Sequence, residues 1–352
     1  MQAGRKLFLQ VKLWRNIRCE ARVEREDFFR DPVVHMKLKT QMTVNQLIQE
    51  FQKSGSFGAG RIATACDIYE RMIRDKRCTI FLAVAGAVVP AGLRTVIVDL
   101  IRKKFVDAVV TTGANIIHDL LEAMGGHHYK GSWSADDSVL YEYHTYRIYD
   151  IFVPEEDFIK EDSRLAEMFD DIVEDNQGYV FSSNELMTEI GKRIEDPNSI
   201  LKAAYESKVP VFVPAVRDSE FSYIHWLHAS RNHQDKVLQV DAFKEVSDII
   251  DLASNSSRIG MIVLGGGVPR NTVQHTAAIA RKGINYAILI TMDRPETGGL
   301  SGSTLREATS WGKIRPSAHK VTVIGDVLMV FPLIVASVFE RLGSKYQRNR
   351  EK

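Results

Sequence analysis

The chain has 352 residues, of which 45% are hydrophobic and 26% are charged, and its formal net charge is +1. A chain of this length can bury a large core without disulfides or a structural metal, and its balanced charge excludes recognition of nucleic acid or an anionic membrane by bulk electrostatics. Its three cysteines, Cys19, Cys66 and Cys78, have no CxxC spacing, which favours a reducing cytoplasm over a disulfide framework.

The two ends of the chain differ from its centre. The N-terminal stretch alternates basic and apolar residues without a continuous apolar run, so it is neither a secretory signal nor a membrane span. The sequence predicts a surface-packed arm over residues 1–40, a single catalytic domain over 41–345 and a basic tail over 346–352.

From about residue 43 the chain alternates helical and strand-like segments. "TVNQLIQEFQKSG" has apolar residues at helical spacing and ends on a glycine, and "CTIFLAVAG" is a short apolar strand followed by the helix "PAGLRTVIVDLIRKK". "VDAVVTTGAN" leads into "IIHDLLEAMGG", and the later β-type runs are "RIYDIFVP", "VPVFVPA", "RIGMIVLGGG", "NYAILITM" and "KVTVIGD". The alternation predicts an α/β fold with a mostly parallel sheet and helices on both faces. The polar stretch "EEDFIKEDSRLAEMFDDIVEDNQG" is interpreted as a solvated helical insertion.

Glycine, small hydroxyl residues and aspartate collect at the predicted strand ends, where ligands bind in such sheets. These segments are "AGAVVPAG", "TTGAN", "PAVRDSE", "LGGGVPRN", "TMDRPETGGLSG" and "GDV". In the fourth, Gly265, Gly266 and Gly267 let the backbone approach a pyrophosphate or simply form a tight β–α turn, and both interpretations stay open. Asp326 has two roles open to it, as an acceptor for a ribose or as the cap of the next helix.

Other motifs fail on their context. "SFGAGRIA" has the spacing of a dinucleotide fingerprint, but a helix precedes it where a strand is required. His127 and His128 have no partner at helical spacing, so no metal is predicted. "GGLSGS" lacks the GxSxG pattern of a nucleophile elbow.

Lys313 has an unusual apolar setting. Thr304 and Glu307 have capping-box spacing, and Gly312 can end the short helix in a left-handed conformation that turns Lys313 back towards Glu307. Trp311 and Ile314 would withhold water from the Lys313 amine, lowering its pKa and making it a nucleophile for Schiff-base chemistry. On spacing alone, a lysine snorkelling at a helix end is the favoured interpretation.

The segment "SGSTLREATSWGKI" resembles the active-site segment of deoxyhypusine synthases and their prokaryotic relatives. "TTGANIIHDL", "GGHHYKGS", "RIYDIFVPE", "MIVLGGGVPRN" and "FPLIVAS" occur in the family's order, and the resemblance covers about residues 35–343. It reverses the interpretation of Lys313, which matches the family nucleophile. The resemblance implies a Rossmann-like NAD-binding fold and a homotetramer with active sites between paired subunits.

The family chemistry implies a role for each site residue. Hydride transfer from spermidine to NAD gives an imine, the lysine takes the four-carbon unit, and an acceptor amine receives it before the cofactor reduces the product. Trp311 matches the wall over the polyamine chain, and Glu307 matches a carboxylate for a substrate ammonium. The positions expected to contact NAD are Gly86, Ala87, Thr112, Gly113, Asp119, Asp218, Gly266, Gly267, Met292, Ser301 and Asp326.

Several positions depart from the eukaryotic pattern. Tyr223 and Leu300 replace two substrate-binding acids, Asn271 replaces a histidine, and His118 replaces a glutamate, all at positions expected to bind substrate. Gly86 and Ala87 replace a serine and an asparagine in the first glycine loop. The changes at Asn271, His118 and this loop resemble the prokaryotic branch. A charged amine in a dry site needs a carboxylate partner, so the loss of two acids predicts an altered amine specificity.

The predicted function is NAD-dependent aminobutyl transfer from spermidine to a lysine of the hypusine-containing translation factor. A close alternative transfers the unit to putrescine, giving homospermidine, or uses agmatine. Alternatives of another class are a catalytically inactive NAD- or polyamine-binding scaffold and an ordinary NAD-dependent dehydrogenase. No nucleic acid or membrane partner is predicted.

Overall fold

A computed structural model describes residues 29–231 and 237–348 of the chain. Most of the predicted arm, including Cys19, and residues 349–352 of the predicted tail lie outside the described residues. Residues 29–40 are exposed. Arg348, inside the predicted tail, is instead buried and donates to the Asp107 carboxylate at 2.7 Å. The domain boundaries remain a prediction.

The elements follow the predicted alternation. The described helices are α1 (Val44–Ser54), α2 (Phe57–Arg74), α3 (Arg94–Arg102), α4 (Gly113–Ala123), α5 (Asp137–Glu142), α6 (Glu155–Asp175), α7 (Ser183–Arg193), α8 (Ile200–Ser207), α9 (Glu220–Arg231), α10 (Ala242–Ser254), α11 (Gly267–Ile279), α12 (Glu307–Ser310) and α13 (Val327–Leu342). The strands are β1 (Cys78–Val84), β2 (Ala108–Thr111), β3 (Tyr129–Lys130), β4 (Thr145–Ile148), β5 (Ile151–Pro154), β6 (Val180–Phe181), β7 (Val211–Phe212), β8 (Gln239–Val240), β9 (Arg258–Leu264), β10 (Ile284–Thr291) and β11 (Ile314–Ile324). α1 shows why these boundaries hold, because Thr43 and Gln46 form a capping box at its start and Gly55 ends it with φ 65°.

The main sheet has six parallel strands in the order β11-β10-β9-β1-β2-β7. The chain runs outward from β1 through β2 to β7, then restarts at β9 and runs outward on the other side through β10 to β11. This is the Rossmann strand order, with its switch point between β1 and β9. Two apolar clusters cover the sheet, and the side chains of β1 alternate between them. The predicted α/β fold, mostly parallel and covered on both faces, is confirmed.

Two local predictions were wrong. The run "RIYDIFVP" is not one strand of the main sheet, because β4 and β5 form an antiparallel hairpin that pairs with β3 in a separate small sheet. The stretch predicted as a solvated helical insertion is the helix α6, as predicted, but one of its faces is not solvated and is buried through Glu161, Leu165, Phe169 and Ile172. The charged residues of α6 hid this face because they occupy the remaining positions around the helix. "SFGAGRIA" lies inside the helix α2, in agreement with its rejection as a fingerprint.

None of the helices in the described ranges is both long enough and apolar enough to span a lipid bilayer.

Candidate active site

A cavity of about 520 Å³ opens at the switch point of the sheet. Its walls are the loops that follow β1, β9, β10 and β11, together with the turn of the β4–β5 hairpin. Seven of the predicted cofactor positions line it, namely Gly86, Ala87, Gly266, Gly267, Met292, Ser301 and Asp326. A larger hollow of about 820 Å³ beside Tyr179 carries none of the predicted residues and is lined around β6 and β8, which form a separate two-stranded sheet.

Glycines shape the floor of the cavity. A Cβ on Gly266 would lie 2.5 Å from the backbone of Ser301, so only glycine lets these two loops touch. Gly86 and Gly267 have φ values of 82° and 69°, with open space where a Cβ would stand. The helix α11 begins at Gly267, so its N-terminal amides open at the cavity. The residues of this cradle could hold a dinucleotide, whose pyrophosphate these amides would stabilise.

Two carboxylates stand at the cavity rim. Asp326 caps α13, because its Oδ1 accepts from the backbone N–H groups of Leu328 and Met329 at 2.7 and 3.2 Å. The capping interpretation is confirmed, and the residue also lines the cavity. Asp293 accepts a hydrogen bond from the Ser301 hydroxyl. The sequence predicted a ligand-binding loop after β10, but Asp293 within that loop was missed as a site residue. An acid two residues after a strand is a recognisable signal.

Four predicted cofactor positions follow β2 and β7 and do not line the cavity: Thr112, Gly113, Asp119 and Asp218. Gly113 is required for packing, because a Cβ there would lie 2.4 Å from the Ser219 side chain. Asp119 is fully buried and accepts from Arg94 at 2.7 Å, from the Ser199 hydroxyl at 2.8 Å and from the amide of Ile200 at 2.9 Å. Its expected contact with NAD stays a prediction, and these donors already use both of its oxygens.

Lys313 is presented by a tight helix end. The helix α12 has only four residues, and Gly312 follows it with φ 68°. The amide of Lys313 donates to the Ala308 carbonyl and the amide of Gly312 to the Thr309 carbonyl, each at 3.1 Å. This pair of bonds is a Schellman motif, as the glycine predicted. β11 begins at the next residue, so the strand fixes the chain direction immediately after the lysine.

The surroundings of the Lys313 amine depress its pKa. Burial is the largest cause, the Arg270 guanidinium adds to it, and Glu307 opposes both. Ile314 is fully buried beneath the turn, as predicted. Trp311 is 70% exposed, and the centroid of its ring lies 5.5 Å from the Lys313 amine. Within one chain, Trp311 therefore does not keep water away from Lys313.

Arg270 is a functional candidate that sequence reasoning missed. It is fully buried in α11, and its guanidinium donates to the carbonyls of Leu300 and Ser303 at 2.6 and 2.9 Å. Burial lowers the pKa of Arg270 to about 10. These bonds hold the loop before Lys313 against the glycine-rich turn. The sequence signal that could have identified Arg270 is its position three residues after three consecutive glycines.

Lys313 and all of the predicted substrate positions lie outside the cavity lining. Tyr223 is 64% exposed on α9, and Asn271 is half-buried at the start of α11. His118 on α4 contacts His128, with 3.0 Å between His118 Nδ1 and His128 Nε2. His128 uses its other ring nitrogen on Glu122, at 2.7 Å. Within residues 29–231 and 237–348, no group of three or more ligand side chains is arranged to hold a metal ion.

Comparison with known proteins places the whole chain in one family. The family profile described as "DS: Deoxyhypusine synthase" matches residues 46–338. The chain is 43% identical to "Probable deoxyhypusine synthase 1" of Methanosarcina mazei over 314 residues, covering 89% of this chain and 96% of that protein. It is 39% identical to the protein of the same name from Archaeoglobus fulgidus over 312 residues, covering 88% and 99%.

A solved structure supports the fold. The crystal structure of a candidate deoxyhypusine synthase from Entamoeba histolytica superposes with a TM-score of 0.63 at 21% identity, covering 88% of this chain and 96% of that one.

Proposed function

Because the chain belongs to the deoxyhypusine synthase family, we propose that it is an NAD-dependent transferase that moves an aminobutyl group from spermidine to an acceptor amine. The observation that carries this proposal is the Schellman turn, which holds the partly buried Lys313 amine beside Glu307 and Arg270. A lysine needed only for solubility would gain nothing from a setting that depresses its pKa.

The chain's own residues have distinct tasks in this proposal. NAD, when bound, supplies a hydride acceptor and later returns the hydride. The glycine-lined cavity with Asp326 and Asp293 holds it, and the α11 amides face its phosphates. The neutral amine of Lys313 attacks the electrophilic carbon of the substrate, keeps the four-carbon unit as an imine and releases the three-carbon part of spermidine as a diamine. Glu307 pairs with a substrate ammonium, and Arg270 fixes the loop that carries Ser301.

The proposed acceptor is a lysine of the hypusine-containing translation factor. Transfer to a free amine such as putrescine or agmatine is a second candidate, favoured by one observation. Tyr223 and Leu300 replace acids that bind the polyamine in the eukaryotic pattern, and a dry site without them holds a charged amine less well by several kcal/mol, on the order of 2–5. The amine specificity is therefore proposed to differ from that pattern.

Exposed aromatic groups support the proposed homotetramer. Trp311 and Tyr223 are 70% and 64% exposed although both are expected at the substrate site. A neighbouring subunit that covers them would supply the dry wall that one chain lacks around Lys313. The cysteine pattern supports a cytoplasmic location.

The decisive experiment traps the intermediate. The protein is incubated with NAD and spermidine, reduced with borohydride and mapped by mass spectrometry, with Lys313→Arg as the control. We expect a four-carbon amine adduct on Lys313 in the wild type and loss of transfer by on the order of 1,000-fold in the variant. Full transfer by Lys313→Arg would refute the mechanism.

The same preparation separates the alternatives. Putrescine, agmatine and the translation factor are compared as acceptors by product analysis. Reduced cofactor without an adduct would favour a dehydrogenase, and binding without either product would favour the scaffold.

A further inference from the structure

Three side chains on α4 and in the loop after it form a continuous hydrogen-bonded chain. His118 and Glu122 lie four residues apart on the same face of α4, and His128 lies in the loop that follows this helix. The Nδ1 atom of His128 is 2.7 Å from Glu122 Oε1, and its Nε2 atom is 3.0 Å from Nδ1 of His118. These hydrogen bonds use both ring nitrogens of His128 and Nδ1 of His118, but not Nε2 of His118.

We propose that Glu122, His128 and His118 form a proton relay that accepts a proton from the cationic amine substrate at His118 Nε2. The inference rests on the proposed amine transfer. It assigns His118 as the catalytic base, and His128 and Glu122 as positioning residues that fix its tautomer.

The direction of the relay follows from the donors and acceptors. Burial opposes ionisation of Glu122, but the hydrogen bond from His128 and the charge of Arg94 outweigh it and lower the pKa of Glu122. The Glu122 carboxylate can therefore only accept, so His128 carries its proton on Nδ1. The Nε2 atom of neutral His128 is then an acceptor, and His118 must donate from Nδ1. This leaves a lone pair on His118 Nε2.

The proton transfer balances without any added reactant. His118 gains a proton from the substrate ammonium at Nε2 and gives its Nδ1 proton to His128 Nε2. His128 becomes an imidazolium beside the Glu122 carboxylate, and the substrate is left as a neutral amine. Burial, with the charge of His128 added, lowers the pKa of His118 to about 4. The Glu122 carboxylate, 2.7 Å from His128, stabilises the imidazolium, so the proton moves along the hydrogen bonds towards the carboxylate.

Charged groups on α3 and α6 bear on this assignment. Arg94 on α3 lies 3.4 Å from Glu122 and is itself held by Asp119 and Asp196 at 2.7 and 2.8 Å. From α6, Asp157 accepts from the backbone of His127 at 3.2 Å. These contacts hold the Glu122 end of the relay and leave the His118 end to the substrate.

Ring contacts connect His118 to the hairpin whose turn lines the cavity. The ring of Phe158 packs edge-on against His118 at 5.8 Å and against Tyr146 of β4 at 5.6 Å. The other end of β4 and the following turn line the cavity. His118 is partly exposed, whereas the His128 side chain is 5% exposed. A proton can therefore enter at His118 and not at His128.

The first test does not depend on activity. Nitrogen-15 NMR of the histidine rings in the whole protein at pH 8 reads the tautomers directly. We expect His118 protonated at Nδ1 only and His128 protonated at Nδ1 only, with the His118 pattern lost in Glu122→Gln. Protonation of His118 at Nε2 in the wild type would overturn the relay, whatever reaction the protein catalyses.

The second test uses the pH profile of amine transfer. For Glu122→Gln and His128→Gln we expect kcat to fall on the order of 10- to 100-fold with KM little changed. We also expect the acid limb of the profile to move to lower pH, because the carboxylate that stabilises the imidazolium is gone. Glu156→Gln, an exposed acid on the adjacent helix α6, is the matched control and should leave both unchanged.

Failure of the proposed function and failure of the relay give different experimental results. If the wild type transfers no amine at all, the proposed function fails and the tautomers still decide the relay. If transfer is normal in Glu122→Gln with an unmoved acid limb, the relay is wrong and the proposed function stands.

Discussion

Two carboxylates in this protein are equally buried and yet have opposite surroundings. Asp119 on α4 and Glu161 on α6 both have 0% exposed surface. Asp119 accepts from the Arg94 guanidinium, from the Ser199 hydroxyl and from the first amides of α8. Both oxygens of Glu161 lack a hydrogen-bond partner among the described residues. Burial alone therefore does not say whether an acid stabilises or destabilises a fold; its partners decide.

The pKa of each acid reflects these partners. Burial raises the pKa of Asp119, while Arg94 and the hydrogen bonds from Ile200 and Ser199 counter that rise. For Glu161, burial is the largest cause and the charges of Asp162 and Glu220 add to it, which raises its pKa to about 9. Asp119 therefore anchors α8 to α4 through its contacts with Arg94, Ser199 and Ile200, and Glu161 carries a proton at neutral pH.

The largest effect on stability is expected from replacing Asp119, the buried acid whose oxygens have hydrogen-bond partners. Asp119→Asn should lower the free energy of unfolding by about 3–5 kcal/mol, because it leaves the buried Arg94 short of its main counter-charge. Urea denaturation measures this loss, and Asp99→Asn, an exposed acid on α3, should change stability by less than about 0.5 kcal/mol. A stable Asp119→Asn protein that has lost NAD binding would contradict the structural role and restore Asp119 as a cofactor ligand.

The next effect has the opposite sign. Glu161→Gln should raise the free energy of unfolding by about 3 kcal/mol at pH 7, since the folded wild type must hold a proton that the unfolded chain releases. The exposed Glu167 on the same helix provides the control Glu167→Gln, which should change little.

The pH dependence of this second variant gives a sharper check. In the wild type the folded state keeps the Glu161 proton up to about pH 9, whereas the unfolded state loses it near 4.5. Stability from this group therefore falls as pH rises from about 4.5 to 9 and is level above that. In Glu161→Gln that decline should disappear. An unchanged pH slope would show that Glu161 is ionised and has a partner.

The smallest effect on stability is expected at Ser199, which caps α8 and also contacts Asp119. Ser199 donates to Asp119 at 2.8 Å and accepts from the Lys202 amide at 3.3 Å at the start of α8. Ser199→Ala should cost about 1 kcal/mol, and Ser199→Thr should restore most of it because the hydroxyl remains. Thermal unfolding of the two variants side by side distinguishes the cap from simple packing, since equal losses in both would exclude the cap.

Much of the candidate site could be predicted from the sequence. The segments at the predicted strand ends include the loops that line the cavity, and Gly312 predicted the turn that presents Lys313. These loops and this turn depend on local backbone geometry, which the sequence specifies directly. Arg270 and the β4–β5 hairpin were missed. Arg270 acts on a loop about 30 residues away, and its role is invisible until the two loops meet. The hairpin looked like one apolar run because a two-residue turn leaves little mark on hydrophobic periodicity.

The sequence by itself determined the strands of the main sheet, their order along the chain and the residues that end them. Those properties follow from side-chain periodicity and from glycine at left-handed positions, which act within a few residues. Only the tertiary structure decided which buried charges have partners. Asp119 and Glu161 are both acids within helices, and nothing local separates them. Their difference arises because α4 packs against α3 and the start of α8, which bring a guanidinium and free amides, whereas the groups whose charges act on Glu161 are two further acids.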